Sequence, residues 1–177
     1  MRDIIETNRL TLRQIELRDA ESFATLANDL DIARMTGSFP YPFPRLAVDF
    51  KVMYLRAQKR RGIGHGYAIT ETGQDRLIGV ADLFRLKEGQ PWELGYWVGK
   101  PYWGRGYITE ACEALLSELE NQHGPHAVTA GVFTDNPGSM RVLEKLGFKK
   151  DGKPGLYFSM ARLAKAPSQS FIRQAVS

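Results

Sequence analysis

The sequence has little of several features, and each shortage excludes a class of protein. Its one cysteine excludes an internal disulfide and a cysteine metal cluster, so a cytoplasmic protein without a metal site is expected. No run approaches the roughly 18 apolar residues of a membrane span, and the N-terminus lacks the apolar stretch of a signal peptide. The net charge of +4 is too small, and the basic residues too scattered, to predict nucleic-acid binding.

What is present indicates one globular domain. With 43% hydrophobic residues in 177, the chain can bury a sizeable core. Strand patterns over residues 67–70, 77–84 and 92–98 are separated by turns and predict an antiparallel meander. A strand–helix–strand passage on each side of it predicts an α+β fold with a mixed sheet covered by helices. We expect the domain to span residues 1–163, and residues 164–177, which show no clear pattern, to form a C-terminal tail.

A glycine-rich turn between a strand and a helix is the most informative segment. The strand pattern ends at Val98, and Gly104 and Gly106 then flank Arg105. A helix N-terminus carries unpaired N–H groups, glycines permit close approach, and arginine can contact a phosphate. The turn therefore predicts a phosphate site, although glycines needed only for its geometry would give the same pattern. It matches neither a P-loop nor the G-x-G-x-x-G spacing.

A second motif combines a helix start, a polar residue on an inward face and a glycine stop. Asn136 is a good N-cap and Pro137 suits the first helical position. Ser139 shares a helical face with Val142 and Leu143. Its hydroxyl either bonds back to the helix or faces a ligand.

Together these segments closely resemble the GNAT superfamily of acetyl-CoA-dependent N-acetyltransferases. The segments that carry the resemblance are 95–98, 102–107 and 136–148. The spelling W-G-x-G-Y-x-T-E-A, which starts at Trp103, and the opening from Thr7 to Arg13 are similar to the Rim-type branch, which includes ribosomal-protein N-terminal acetyltransferases. The resemblance covers about residues 5 to 162, nearly the whole chain.

The resemblance implies that the strand ending at Val98 splays from its neighbour, giving a mixed, mostly antiparallel sheet with a splayed strand pair. Main-chain groups freed by the splay bind pantetheine in this family, and the Val98 N–H is the expected donor to the thioester carbonyl. The helix N-terminus is expected to hold the pyrophosphate, and Asn136 to bond the pantetheine. The residues expected to bind acetyl-CoA are Tyr96, Trp97, Val98, Trp103, Gly104, Arg105, Gly106, Tyr107, Ile108, Thr109, Asn136 and Ser139.

Direct attack of an amine on the thioester requires a base, and the departing thiolate must be stabilised. We favour Glu93 as the base, against the equal alternative of a solvent-exposed edge carboxylate, and His65 is the second candidate. Many members of the family carry a tyrosine acid where this chain has Leu143. Ser139 is the best substitute, either as an acid or only as a hydrogen-bond donor to the sulfur.

The acceptor is expected to be a protein N-terminal α-amine or a small amine, and no membrane or nucleic-acid partner is expected. Phe39, Tyr41 and Phe43 lie in a proline-rich loop that either packs under the helices or, as its position in the family favours, walls the acceptor site together with His65. A non-catalytic acetyl-CoA sensor or protein-interaction module is the alternative function. Assembly as a homodimer is compatible with the sequence. Cys112 lies on an apolar helix face and is expected to be an inert core thiol.

Overall fold

The computed structural model describes residues 1–175, and within that range the chain forms one mixed sheet of eight strands with five α-helices. The strands are β1 (Ile4–Glu6), β2 (Leu10–Gln14), β3 (Gly64–Glu71), β4 (Gly79–Phe84), β5 (Trp92–Val98), β6 (Val128–Phe133), β7 (Lys149–Ser159) and β8 (Ala164–Arg173). The helices are α1 (Ala20–Ala27), α2 (Leu30–Ala33), α3 (Arg45–Arg60), α4 (Tyr107–His123) and α5 (Pro137–Lys145).

The strand order is β1-β2-β3-β4-β5-β6-β8-β7, and neighbouring strands are antiparallel except β5 and β6, which are parallel. The expected α+β architecture with a mostly antiparallel sheet is therefore confirmed. Among residues 1–175, no helix combines the length and the apolar character needed to cross a bilayer.

The sheet separates two cores because apolar side chains alternate along its central strands. The first core lies on one face, where the stripe of α4 that includes Leu115 and Leu119 is fully buried against the sheet. The second core lies on the other face, where Phe23 of α1 and Val52 of α3 pack together. Cys112 is buried in the first core, where desolvation raises the pKa of its thiol, as expected for an inert cysteine.

The C-terminal segment is not a tail, and this part of the domain assignment was wrong. Residues 164–173 form β8, which pairs with β6 on one side and β7 on the other. Polar and small residues dominate the segment, so alternation along it is weak, and pairing with both neighbours determines its structure. The side chain of Phe171 in β8 is fully buried in the first core. The end of the expected tail, residues 176–177, lies outside the described residues.

Replacing Phe171 tests whether β8 belongs to the core. Phe171→Ala should lower the free energy of unfolding, measured by denaturant titration, by about 3–5 kcal/mol because it leaves a cavity. Leu163→Ala is the matched control, since that side chain is 85% exposed in the turn before β8, and should change stability by less than about 0.5 kcal/mol. Equal effects of the two substitutions would contradict the placement of β8.

Candidate active site

Strands β5 and β6 separate soon after they meet. Their paired residues are Trp92 with Val128 and Glu93 with Thr129. Beyond these pairs β5 continues to Val98, while β6 keeps its pairing with β8. The separation opens a cleft of about 1280 Å³ that reaches the N-terminal ends of α4 and α5. The splayed strand pair expected from the resemblance is therefore confirmed.

The edge of β5 presents main-chain polar groups to this cleft. The Gly99 N–H donates to the Ile78 carbonyl on the β4 side at 2.9 Å, so alternation along the strand turns the N–H and carbonyl of Val98 toward β6. The indole N–H of Trp103 donates to the Val98 carbonyl at 2.8 Å. The Val98 N–H therefore points into the gap, and the same alternation directs the Tyr96 N–H there.

The glycine turn shapes the end of the cleft next to α4. Gly104 and Gly106 adopt the left-handed region, with φ of 75° and 77°, which side chains disfavour. Gly106 caps the helix, and the first intrahelical bond runs from the Glu110 N–H to the Gly106 carbonyl at 3.1 Å. The N–H groups of residues 107–109 precede that bond and are oriented along the helix axis toward the turn. This geometry fits an anionic group at the helix N-terminus.

An ion pair from the loop between β1 and β2 holds this turn in place. Glu110, in the first turn of α4, accepts hydrogen bonds from Arg9 Nε at 2.7 Å and from the Thr7 hydroxyl at 2.6 Å. Although partial burial acts to raise it, these bonds hold the pKa of Glu110 below its usual value. Arg9 also donates to the Arg105 carbonyl at 2.9 Å and lies over the Tyr107 ring. The opening motif and the T-E-A motif are therefore in direct contact through Arg9 and Glu110, although they lie far apart in the sequence.

The start of α5 forms the opposite side of the cleft. Asn136 caps the helix, because its side-chain oxygen accepts from the Ser139 N–H at 3.0 Å. The Ser139 hydroxyl lies 2.8 Å from the phenol oxygen of Tyr96. Leu143 occupies the place on this helix where the resemblance implies a tyrosine acid, and its side chain is buried. Sequence reasoning assigned Tyr96 to the cofactor strand, whereas its phenol contact with Ser139 depends on the packing of α5 against β5.

Two carboxylates line the cleft on the face of the sheet that α3 covers. Asp82 of β4 lies opposite Gly95, and its Oδ1 is 2.5 Å from where a Cβ at Gly95 would stand, so the carboxylate leans across β5 toward the gap. Glu93 occupies the same face of β5. Burial raises the pKa of both groups; the charge of Asp82 raises that of Glu93 further, and Lys51 opposes the rise at Asp82. Asp82 was not identified as a site residue from the sequence. Gly95, which lies opposite it, was the feature that could have indicated it.

The aromatic loop packs mainly beneath the helices, which corrects the assignment of Tyr41 and Phe43 to the acceptor site, whereas Phe39 does border the cleft. Phe43 is buried against Phe23, and Tyr41 is exposed on the surface, away from the cleft lining among residues 1–175. Phe39 borders the cleft but packs with Phe23 and Trp97. Large apolar side chains gain more from full burial in the second core than from a position at the solvent-exposed rim of a cleft.

His65 and Arg105 also lie away from the cleft lining, as far as the described residues show. His65 is buried beside Trp92 on the face of the sheet that α4 covers, and burial is the main cause that lowers its pKa to about 4. The low pKa makes it a weak base, and it lies on the face of the sheet opposite Glu93, so its assignments as second candidate base and as acceptor-site residue are corrected. Arg105 is directed toward the Tyr102 ring, 5.5 Å from its centre.

Comparison with known proteins gives a consistent result. Residues 9–149 match the family described as an acetyltransferase (GNAT) domain. The chain is 34% identical over 155 residues to YoaA of Bacillus subtilis (strain 168), named an uncharacterized N-acetyltransferase, with 84% of each protein covered.

Two solved structures are similar in fold. RimL, described as a ribosomal L7/L12 alpha-N-protein acetyltransferase in complex with coenzyme A, has a TM-score of 0.82 at 17% identity, with 97% of each chain covered. The microcin C7 self-immunity acetyltransferase MccE, in complex with acetyl-CoA and AMP, has a TM-score of 0.80 at 16% identity, with 95% of this chain and 93% of that chain covered.

Removing Arg9 tests the support of the glycine turn. Arg9→Met should raise the Kd for coenzyme A, measured by calorimetry, about tenfold, because a cation next to the helix N-terminus and the brace on the turn are both lost. Arg45→Met removes an equal charge from α3, where Arg45 pairs with Asp49, and should leave the Kd unchanged. The same Kd for both variants would contradict this role of Arg9.

Proposed function

The chain belongs to the GNAT family of acetyltransferases, and from that membership we propose that it acetylates the α-amine of a protein N-terminus. It is an N-acetyltransferase that takes acetyl-CoA as donor. When bound, acetyl-CoA supplies the acetyl group as a thioester. The observation that carries the proposal is the cleft between β5 and β6, which has a main-chain N–H directed into it and two carboxylates on one wall.

The residues on the α4 and α5 side hold the donor. The N–H groups of residues 107–109 and the left-handed turn before them receive the pyrophosphate. The main chain of Tyr96 and Val98 pairs with the pantetheine arm, as the vacant side of a strand pairs with a further strand. Asn136 uses its side-chain oxygen as the helix cap, which leaves its amide N–H groups for the same arm.

Val98 and Glu93 serve the reacting groups. The Val98 N–H donates to the thioester carbonyl oxygen as negative charge develops there. Glu93 accepts a proton from the attacking amine, directly or through a water molecule. Its position on the strand that carries Val98 supports this role, since both groups border the same cleft. Asp82, one strand away, adds negative charge that favours an incoming ammonium group.

The lower pKa of an α-amine favours it over an alkyl amine as the acceptor. An α-amine has an ordinary pKa of about 8, whereas an alkyl amine such as lysine has one of about 10.4. A carboxylate with a raised pKa, such as Glu93, is better matched to the less basic amine. The similarity in fold to RimL supports this class. MccE, whose solved complex holds AMP, keeps a small-molecule acceptor as the second candidate.

An acceptor panel tests the proposed class. Release of coenzyme A thiol should be at least about tenfold faster with peptides that have a free N-terminus than with the same peptides blocked at the N-terminus but retaining lysine. Mass spectrometry should place the acetyl group on the α-nitrogen. Turnover with small amines alone would favour the second candidate. Tight coenzyme A binding without turnover on any acceptor would favour a non-catalytic sensor.

The pH profile tests the carboxylate pair. Glu93 accepts a proton only when ionised, so its raised pKa makes kcat/KM fall at a higher pH than an ordinary glutamate would. Asp82→Asn removes the neighbouring negative charge and leaves burial in place, so the pKa of Glu93 should fall and the acidic limb should move to lower pH. Glu88→Gln, in the exposed turn before β5, is the control and should leave the limb in place. An unmoved limb in Asp82→Asn would argue against Glu93 as the base.

A further inference from the structure

Tyr96 of β5 and Ser139 of α5 are joined by a close polar contact. The phenol oxygen of Tyr96 lies 2.8 Å from Ser139 Oγ and 3.3 Å from the Ser139 carbonyl oxygen. Both residues border the cleft, one from β5 and the other from the first turn of α5. We propose that Tyr96 is a positioning residue that donates its phenol hydrogen to Ser139 Oγ and so directs the serine hydroxyl hydrogen at the sulfur of the leaving thiolate. The inference rests on the proposed function and extends it to a residue pair.

The distances favour this direction of the contact. The phenol has one hydrogen, and both acceptors within reach belong to Ser139, with Oγ the closer. When Oγ accepts that hydrogen, the serine hydroxyl keeps its own for a third group. Ser139 lies beside the N-cap of α5, with its backbone N–H already bonded to Asn136, so its side chain is held at the cleft. The free hydrogen is therefore available to an acceptor inside the cleft.

The environment of the phenol keeps it protonated. Burial raises the pKa of Tyr96 above its usual value, the nearby Cys112 acts in the same direction, and the bond with Ser139 acts against it. Cys112 is itself buried with a raised pKa and carries no charge near neutral pH. The phenol thus remains a hydrogen-bond donor over the whole working range of pH.

These acidities decide that the pair stabilises the thiolate without protonating it. In the transfer, the amine nitrogen forms the new bond to the acetyl carbon, the C–S bond breaks, and sulfur leaves with the electron pair. The proton lost by the nitrogen goes to Glu93. A thiol has an ordinary pKa of about 8.5, well below that of the phenol or of a serine hydroxyl, so proton transfer from the pair to sulfur is uphill. The sulfur leaves as a thiolate, accepts a hydrogen bond from Ser139, and is protonated by solvent.

A tyrosine on β5 thus takes part of the task that a tyrosine at residue 143 would have on α5. Leu143 is 1% exposed and packs in the first core, so that place offers no polar group. Tyr96 reaches the same helix from the strand below and acts through Ser139. The pair makes a hydrogen-bond donor where an isolated serine would be free to rotate.

Titration of bound coenzyme A tests the inference without relying on turnover. The ultraviolet absorbance of the thiolate is followed against pH in the complex with coenzyme A, and the complex with desulfo-coenzyme A is subtracted to remove the protein signal. The bound thiol should have a lower pKa than free coenzyme A. Tyr96→Phe and Ser139→Ala should each raise it by about one unit, the equivalent of a tenfold change.

Steady-state kinetics supplies the second measurement. Tyr96→Phe should lower kcat about tenfold with little change in KM for acetyl-CoA, and the Tyr96→Phe/Ser139→Ala double variant should lose no more than Ser139→Ala. Tyr67→Phe is the matched control, since Tyr67 is a buried tyrosine on β3 whose hydroxyl bonds to the Arg2 carbonyl, and should leave kcat and the thiol pKa unchanged.

The outcomes separate this inference from the proposed function. Wild-type protein that binds and turns over acetyl-CoA, with the same thiol pKa and kcat in Tyr96→Phe, would overturn the inference alone. Additive losses in the double variant would also overturn it, because they would show that Tyr96 does not act through Ser139. Wild-type protein that binds no coenzyme A would overturn both.

Discussion

The incomplete pairing of β5 and β6 is the constraint on which the whole site depends. If the two parallel strands stayed paired as far as Val98, their main-chain groups would bond one another, and no room would remain between them for the pantetheine arm. Separation leaves those groups without strand partners, and each would cost about 1–3 kcal/mol if buried unmet. The protein limits this cost in two ways: Trp103 bonds the Val98 carbonyl, and β8 supports the far side of β6. The remaining groups are met by water or by a ligand.

Around this gap, each functional group is fixed by an element that is remote in the chain. Glu110 joins the glycine turn to the loop between β1 and β2 through Arg9, and Ser139 is joined to β5 through Tyr96. Gly95 has no side chain, and the Asp82 carboxylate occupies the space that a side chain there would take. Rigid support of this kind matters because donor and acceptor groups are effective only when they are held near the reacting geometry.

Much of this arrangement could be predicted from the sequence because local chemistry controls it. The bounds of β5, the glycine turn before α4 and the Asn136 cap all follow from residue preferences over a few positions. Prediction failed where distant partners decide. Polar and apolar residues alternate only weakly along β8, which forms because β6 and β7 lie on either side of it. Phe43 is buried in the core because it packs against Phe23. Asp82 and the Tyr96 phenol acquire their roles from neighbours on other elements, which residue spacing does not reveal.

The position of β8 has a consequence for synthesis on the ribosome. β7 is made before β8 but lies beyond it at the sheet edge, so β7 can join the sheet only after the chain has reached Arg173. β6 lacks its antiparallel neighbour until the same moment. The wall of the cleft that β6 forms is therefore completed only after β8 has been made, and a nascent chain that stops short of β8 would have the glycine turn but not the finished cleft. The protein should become competent to bind its donor only once β8 has paired with β6.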